Sequence, residues 1–495
     1  MARLLLVQPF FVEQFGVMSL AAVAKARGHE VKVAIGSDSE VLAVAKHVSP
    51  DVVGFSVTTG YQRRYLSLGQ RLKDTLSNPP MIVFGGPHPT FFPAVVLEDG
   101  VDVVCRGEGE GPIEEILDAV DKRQPIDGIL NLAFNRNGRL EMAPLRPLVD
   151  VDALPFPDRE IYREYPIISR AGMATFMASR GCPYSCTFCF NSEMTNLTRG
   201  CGTWVRFRSP ENLLSEIERV VSARKLRFID FHDDIFTLRR KWLKEFLAGY
   251  AQRIGLPFSC QVRADLVTEE VAKDLKDSGC ARVSFGLESG DETIRNEMLK
   301  KGVKDDHIRQ AAAILRRTGI PFFTTNMMGL PGETLAQAFK TLELNIEIGT
   351  RCAWVSLFQP FPGTQLAQYC LDHGYLKHAI SIDAPLEMHT GSPLEQPEID
   401  EIVRLQKFAY VVVRFPKILP LVRKLVHLNL GCLYLVVHRI SYLLLYFRGL
   451  IKRRGARCSI THGKLSGNTD RLGGCQRHFL ERFENAQAGT DYALS

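Results

Sequence analysis

Three cysteines stand within eight positions of one another in the stretch "SRGCPYSCTFCF". They are Cys182, Cys186 and Cys189, and thiolates at this spacing are ligands for a zinc ion or an iron–sulfur cluster. A structural zinc ion takes four ligands, and Cys201 is the available fourth thiol. A cubane cluster takes one thiolate per iron, so three thiols would leave one iron open to an outside ligand. The spacing therefore predicts a metal centre, and the number of thiols favours the cluster.

Polar residues follow several predicted strands in the same half of the chain. The segments "DFHDDIFT", "QVRADL", "FGLESG" and "MMGLPGET" contribute Asp233, Asp234, Gln261, Arg263, Glu288 and Gly329. Because the carboxyl ends of parallel strands share one edge, we expect these residues near the cysteines. Two simpler interpretations stay open: either Asp is the N-cap of a helix over 237–246, or Arg263 only pairs with Glu288.

Small residues mark the ends of three predicted strands in the first 122 residues. They are Ser56, Thr58, Gly85, Gly86 and Gly107, with His88 and Glu108 beside them. Small residues at three strand ends predict a large ligand lying close to the backbone, although each glycine pair is also compatible with ordinary turns.

The elements that position these residues form two α/β units. Apolar runs alternate with helical patterns over 1–122, which predicts a doubly wound parallel sheet. Residues 123–170 resemble a hairpin and a proline-rich linker. Six further strand-helix units over 171–375 predict a partial (β/α)6 barrel. An apolar, basic and helical region is expected over 376–457, and a disordered tail over 458–495.

Composition narrows the classes of protein. The chain has 495 residues, 45% of them hydrophobic, and its net charge of +6 is too small to suggest a nucleic-acid partner. Nine of the twelve cysteines are scattered singly and no secretory leader is evident, so we expect a reduced, cytoplasmic protein without disulfides. His438 and Arg439 interrupt the longest apolar run near the C-terminus. A packed helical region, or peripheral membrane contact, is therefore expected there instead of a spanning helix.

The cysteine motif, with Phe188 before its last thiol and a partial barrel around it, resembles the radical S-adenosylmethionine (SAM) superfamily. The resemblance implies a 4Fe-4S cluster on Cys182, Cys186 and Cys189, whose open iron binds the amino and carboxylate groups of SAM. An electron from a flavodoxin- or ferredoxin-like donor then cleaves SAM to a 5'-deoxyadenosyl radical. Implied SAM contacts are Phe188, Asp233, Asp234, Gln261, Arg263, Glu288 and Gly329.

The first unit resembles the cobalamin-binding domains that precede some radical SAM barrels. Ser56-Val57-Thr58 and Gly85-Gly86 match that pattern, but Phe11 and Glu13 stand where the usual Asp and the cobalt-ligating His are expected. The cobalt would then lack that His, with His88 as a substitute candidate, or the domain has lost its cofactor. The implied cobalamin contacts are Ser56, Thr58, Gly85, Gly86, His88, Gly107 and Glu108.

Together the two resemblances imply a cobalamin-dependent radical SAM methyltransferase. It would place a methyl group from methylcobalamin on an unactivated carbon, and the apolar C-terminal region favours a hydrophobic or natural-product-like substrate. The alternatives are an oxidative cyclase or rearranging enzyme similar to the anaerobic magnesium-protoporphyrin ester cyclase, and a non-enzymatic sensor. No catalytic acid or base is predicted, because the radical step needs none.

Overall fold

The computed structural model describes residues 1–378 and 391–431, together with residues 434, 436, 437, 439 and 441. Two largely parallel sheets, each covered by helices, make up most of this part of the chain. The predicted α/β fold class is therefore confirmed. Most of the region predicted as helical over 432–457, and all of the tail over 458–495, lie outside the described residues.

The first sheet has seven strands in the order β2-β1-β3-β4-β5-β6-β7. The first five strands in that order are parallel. The order in which strands are added reverses at β1, with β2 on one side and β3 on the other, which is where a doubly wound sheet opens its ligand crevice. Its strands are β1 Arg3–Gln8, β2 Glu30–Ile35, β3 Val52–Ser56, β4 Met81–Gly85, β5 Val103–Cys105, β6 Leu132–Arg136 and β7 Arg139–Met142. Its helices are α1 Phe15–Ala26, α2 Asp38–Val48, α3 Gln62–Thr75, α4 Pro87–Phe91 and α5 Glu110–Lys122.

The hairpin of β6 and β7 pairs antiparallel with β5 and forms one edge of the first sheet. The sheet thus continues to Met142, beyond residue 122, where the sequence placed the end of the first unit. The predicted domain boundaries themselves stay a prediction.

The second sheet has six parallel strands in the order β15-β14-β13-β12-β11-β8, as the six predicted strand-helix units require. The strands are β8 Met173–Phe176, β11 Phe228–Phe231, β12 Phe258–Gln261, β13 Cys280–Glu288, β14 Phe322–Met328 and β15 Cys352–Leu357; the short β9 Ser179–Arg180 and β10 Arg206–Phe207 pair beside them. The helices from the linker onward are α6 Pro166–Ser169, α7 Phe190–Leu197, α8 Pro210–Ala223, α9 Arg240–Arg253, α10 Glu269–Asp277, α11 Asp305–Thr318, α12 Leu335–Ile348, α13 Gln365–Asp372, α14 Ile399–Arg414 and α15 Leu419–Leu425.

Successive side chains of the strands in the second sheet point to opposite faces of that sheet. Ile229, Phe231, Cys260 and Phe285 are fully buried and pack against the helices. The residues between them face away from the helices into the lumen of the partial barrel. The lumen is therefore lined by every second side chain of each strand.

Helix α9 corrects one expectation from the sequence. It begins at Arg240 with Arg239 as its N-cap, and not at residue 237. Neither Asp233 nor Asp234 is therefore a helix cap, which leaves both carboxylates for other contacts.

Helix α14 packs against β15 and α12 and closes one side of the barrel. Its buried face includes Ile402, Leu405, Phe408 and Val412. In the described ranges, no helix is long and apolar enough to cross a membrane.

Candidate active site

The three cysteines lie on one loop between β9 and α7. The backbone N–H of Cys189 donates to the carbonyl of Cys186 (3.1 Å), and the N–H of Thr187 donates to the carbonyl of Leu299 (3.1 Å). The Thr187 hydroxyl also donates to the carbonyl of Met298 (2.7 Å). These bonds fasten the loop to the segment that follows β13.

Burial raises the pKa of all three thiols, to about 11 for Cys182 and about 12 for Cys189. The positive charges of Lys301 and Arg263 act in the opposite direction on Cys186. Metal binding must therefore displace protons from these thiols, and two cations stand beside them to offset the thiolate charge. This donor set fits a cluster held by three thiolates.

Cys201 is the fourth thiol that the sequence offered for a zinc ion. Within the described residues, no three side chains of His, Cys, Asp or Glu converge closely enough to hold a single metal ion. Cys201 lies past the end of α7, where its backbone N–H and carbonyl bond to Thr198 and Leu148.

The two aspartates after β11 have different surroundings. Asp233 is buried and accepts hydrogen bonds from the Ala178 N–H (3.0 Å) and the Ser179 hydroxyl, and burial raises its pKa to about 6. Asp234 is exposed to solvent. Desolvation by the surrounding protein nevertheless raises its pKa, although a hydrogen bond from Asn191 acts to lower it. Asp234 is thus the carboxylate with an open face.

Arg263 and Glu288 do not pair with each other. Arg263 contacts Asp265 (2.8 Å) and lies 3.6 Å from the ring centroid of Tyr184, in the middle of the cysteine loop. Glu288 pairs with Lys301 (2.9 Å) and has a left-handed backbone (φ 65°) at a register shift of β13. Both charges therefore stand at the rim of the barrel beside the thiols.

The remaining predicted SAM contacts also lie near this rim. Gln261 accepts a hydrogen bond from the Ser284 hydroxyl (2.5 Å), and Phe188 packs beside the apolar cluster of Leu299 and Leu330. Gly329 has φ 74°, and its N–H donates to the carboxylate of Glu333 (2.6 Å). The structure thus brings the predicted barrel residues to one edge.

Sequence reasoning missed four residues at this edge: Tyr184, Asn191, Lys301 and Glu333. Asn191 donates to the sulfur of Cys189 (3.8 Å) and hydrogen-bonds Asp234. Tyr184 and Asn191 had a usable signal in their closeness to the cysteines. Lys301 and Glu333 had none, because their partners are known only from the fold.

The predicted cobalamin residues surround the carboxyl ends of β3, β4 and β5. Gly86 has φ 97°, and a Cβ there would stand 3.0 Å from the backbone of Val57, so glycine is required. Ser56, Thr58, Gly85 and Gly107 are partly exposed on this crevice.

His88 and Glu108 are engaged inside the protein. His88 is completely buried, with Nδ1 3.2 Å from the Thr59 hydroxyl, so its ring would have to leave this position to reach a cobalt ion. Glu108 forms ion pairs with Arg180 (2.9 Å) and Arg206 (2.7 Å) of the barrel half. The structure thus gives Glu108 a role in joining the two sheets.

Glu13 joins the two halves as well. Its side chain is 5% exposed and contacts Arg159 (2.7 Å) and Arg224 (2.6 Å), and it accepts from the Thr175 N–H of β8 (3.1 Å). These arginines hold the pKa of Glu13 below its usual value against burial. The residue at the position of the usual cobalt ligand is therefore turned toward the barrel.

Aromatic rings connect the two crevices. Phe91 of α4 stacks on Phe190, which follows Cys189 directly (5.0 Å between centroids), and Phe190 contacts Phe361 after β15 (5.8 Å). A cavity of about 400 Å³ lies beside them, lined by residues including Glu193, Pro360, Gln365 and Leu371.

Known proteins match both halves of this arrangement. The radical SAM superfamily matches residues 177–344, and the B12 binding domain matches residues 4–117. An uncharacterized methyltransferase of Pyrococcus horikoshii is 29% identical over 371 residues, 73% of this chain and 79% of that protein. The anaerobic magnesium-protoporphyrin IX monomethyl ester cyclase of Rubrivivax gelatinosus is 26% identical over 67% of this chain and 60% of that protein.

A solved structure shares the fold. The radical SAM methyltransferase TsrM from Kitasatospora setae, solved with its tryptophan substrate and a SAM analog, has a TM-score of 0.63 at 18% identity. The alignment covers 75% of this chain and 76% of that chain.

The structure thus places a three-thiol loop at the rim of a parallel barrel and a second crevice at the edge of another parallel sheet. Residues 177–344 thus form a radical SAM domain and residues 4–117 a B12 binding domain, and the relatives of the chain include cobalamin-dependent radical SAM methyltransferases. The cofactors of the chain are a 4Fe-4S cluster, SAM and cobalamin. The predicted enzyme class and cofactors are thus confirmed, while the residue-by-residue contacts to SAM and cobalamin stay predictions.

Proposed function

We propose that this enzyme transfers a methyl group to an unactivated carbon of a small, largely hydrophobic molecule. The observation that carries the proposal is the contact of Phe91, at the rim of the first sheet, with Phe190, at the cysteine loop. Methyl transfer between two cofactors requires the carboxyl ends of both sheets to meet in this way. The cofactors supply a methyl group and a radical that abstracts hydrogen; the protein supplies positions and excludes water.

The chain's own residues divide the binding work. Cys182, Cys186 and Cys189 hold the cluster, and the open face of Asp234 accepts a hydrogen bond from the SAM ammonium. Arg263, Gln261 and Glu288 bind the rest of SAM at the rim, with Phe188 and Gly329 beside the adenine. Ser56, Thr58, Gly85, Gly86 and Gly107 let cobalamin approach the backbone of the first sheet.

The setting of the reaction follows from the same proposal. A flavodoxin- or ferredoxin-like protein donates the electron in the cytoplasm. The exposed apolar side chains of Phe415 and Leu421, with the exposed basic residues Arg414, Lys417 and Lys424 near them, favour peripheral contact with a membrane that holds the substrate.

The test uses protein purified without oxygen from cells supplied with cobalamin. Iron, sulfide and cobalt are quantified together, with about four iron and four sulfide and one cobalt per chain expected. Methyl-deuterated SAM and a reductant are then added with an extract of candidate substrates. A product that gains a deuterated methyl group is expected, and SAM cleavage without cobalt in the protein would contradict the proposal.

Cyclisation is the second candidate, because the Rubrivivax cyclase aligns with two thirds of this chain. The two reactions differ in product mass. A product that loses hydrogen and gains no carbon would favour the cyclase.

A further inference from the structure

The lumen of the partial barrel is polar. On the lumen face of β11, Asp230 and His232 are about one fifth exposed, and their side chains form a hydrogen bond (3.1 Å). The Ser259 hydroxyl of β12 donates to the other oxygen of Asp230. Both carboxylate oxygens are thus occupied, which fixes the ring of His232 one position before Asp233.

Arg282 faces the same lumen from β13, at the level of Asp230, because Asp230 pairs with Ser259 and Ser259 pairs with Arg282 in the sheet register. Its guanidinium stands between the rings of Phe228 (5.6 Å) and Phe323 (5.5 Å), a sandwich that fixes its plane. Among the described residues, this guanidinium forms no hydrogen bond or ion pair. A planar cation held in this way presents free donors to whatever enters the lumen.

Asp230 and Arg282 are opposite charges at this level of the lumen, and they differ in how far their hydrogen-bonding groups are occupied. Burial acts to raise the pKa of Asp230, but His232, Ser259 and Arg282 together bring it below its usual value. The Asp230 carboxylate is therefore ionised, and both of its oxygens are already hydrogen-bonded, to His232 and Ser259. Arg282 keeps its donors, and guanidinium groups bind carboxylate and phosphate oxygens in pairs.

We propose that the barrel lumen binds an oxyanion group of the substrate, a carboxylate or a phosphate, on Arg282 with His232 beside it. The proposal rests on the proposed function, because it names the class of molecule that the same site methylates. The apolar part of the substrate would lie at the rim, against Phe190 and Phe361, where the reacting carbon must be.

The dimensions suit an elongated molecule. Arg282 lies six positions before Glu288 on β13, which is about 20 Å along the strand. A substrate anchored at Arg282 must therefore extend along the lumen to reach the cysteine loop. We infer an amphipathic substrate, with a charged end in the barrel and an apolar end at the rim.

The experiment titrates three probes of equal chain length into the loaded enzyme without reductant: hexyl phosphate, hexanoate and hexanol. We expect at least one anion to bind ten times or more tightly than hexanol, and the stronger anion identifies the group as phosphate or carboxylate. Arg282→Gln should reduce anion affinity to the level of hexanol, while Arg282→Lys should retain part of the preference. Equal binding of all three probes would overturn the proposal.

Two controls separate this site from general effects. Arg309→Gln removes an exposed arginine that pairs with Glu347 (2.6 Å), and it should leave every affinity unchanged. His232→Gln should weaken anion binding several-fold without altering the iron content, and it serves as a second test if Arg282→Gln does not fold. An anion preference that persists in both lumen variants would also contradict the proposal.

The titration needs no turnover, so the two proposals fail separately. Absence of methyl transfer with anion binding intact would remove the methyltransferase assignment and leave the lumen site. Methyl transfer to a neutral molecule, with no dependence on Arg282, would remove the lumen site and leave the methyltransferase.

Discussion

Single residues at the rim of the barrel have roles that can be separated by substitution. The three thiols differ from Cys201 in position and not in chemistry. Asp233 and Asp234 are adjacent but differ in exposure. Such pairs provide matched controls within one chain.

The first prediction concerns the cysteines. Replacing Cys182, Cys186 or Cys189 with Ala should reduce iron and sulfide to a small fraction of the wild-type content, because each variant removes one of the three proposed cluster ligands. Cys201→Ala should retain full loading. Iron and sulfide analysis with an absorption spectrum measures both, and equal losses in all four variants would contradict the assignment.

The second prediction separates the aspartates. Asp234→Asn should weaken SAM binding about tenfold, which corresponds to about 1.4 kcal/mol, because it removes a charged acceptor at the open face. Asp233→Asn should mainly lower stability, because Asp233 ties the turn before β9 to β11. Equilibrium dialysis of SAM and thermal unfolding measure the two effects; stronger loss of SAM binding in Asp233→Asn would reverse the assignment.

The turns that hold these residues contain left-handed backbone conformations, which glycine adopts more easily than other residues. The cysteine loop begins at Gly181, with φ 88°. The turn after β14 holds Gly329 and Gly332 at φ 74° and 70°, over the buried carboxyl of Glu333. Each element provides a prediction of its own.

Gly181→Ala should prevent cluster loading. Its Cβ would stand 2.7 Å from the indole nitrogen and 2.8 Å from the carbonyl oxygen of Trp204. Gly200 also has φ 88°, but a Cβ there meets nothing within 4 Å, so Gly200→Ala should cost only about 1 kcal/mol of backbone strain. Iron content and unfolding midpoints distinguish the two; full loading of Gly181→Ala would show that the loop adapts.

Glu333 should make stability depend on pH. Burial raises its pKa to about 8, against hydrogen bonds from the N–H groups of Leu330 and Gly329. The folded protein therefore holds a proton that the unfolded chain releases near pH 4.5, and stability falls as the pH rises from about 4.5 to about 8.

The slope from this group is at most about 1.4 kcal/mol per pH unit. Glu333→Gln mimics the protonated carboxyl and should flatten the dependence in that window. Urea unfolding at several pH values measures it, and equal slopes for the two proteins would contradict the prediction.

At the scale of the whole molecule, buried ion pairs hold the two sheets together. Glu13 contacts Arg159 and Arg224, Arg159 continues to Glu216 (2.9 Å), and Glu108 joins Arg180 and Arg206. These contacts fix the distance between the two cofactor crevices, on which a transfer between cofactors depends.

Glu13→Gln should destabilise the protein by about 3 kcal/mol, because it removes the carboxylate that Arg224 pairs with and leaves buried Arg159 with Glu216 alone. Glu164→Gln is the matched control, since Glu164 pairs with Lys32 on the surface and should cost less than about 1 kcal/mol. Urea unfolding measures both, and equal effects would contradict a clamp at Glu13.

A second variant tests whether the side chain at position 13 can point into the crevice of the first sheet, where the usual cobalt-ligating His is expected. Glu13→His should show no imidazole nitrogen coupling in the electron paramagnetic resonance spectrum of reduced protein with cobalamin bound. A nitrogen coupling would mean that the side chain turns into the crevice.

Local sequence predicted much of the fold and the cluster. Strands of alternating or continuous apolar residues, such as Phe228–Phe231, depend on neighbours along the chain and were recognisable. The cysteine spacing likewise specifies its chemistry within eight positions. Helix starts were less certain, as α9 at Arg240 illustrates, because capping competes with tertiary contacts of Asp233.

The sequence by itself determined which residues could bind metal and where parallel strands would end, since both depend on residue types at short spacing. Only the tertiary structure decided that Glu13 joins the two halves of the protein by ion pairs, because its partners Arg159 and Arg224 lie 146 and 211 positions away. It also decided that Asp230, His232 and Arg282 share one lumen, because strand parity and register place them on the same face. Contacts of this kind arise when distant segments pack, and no local pattern encodes them.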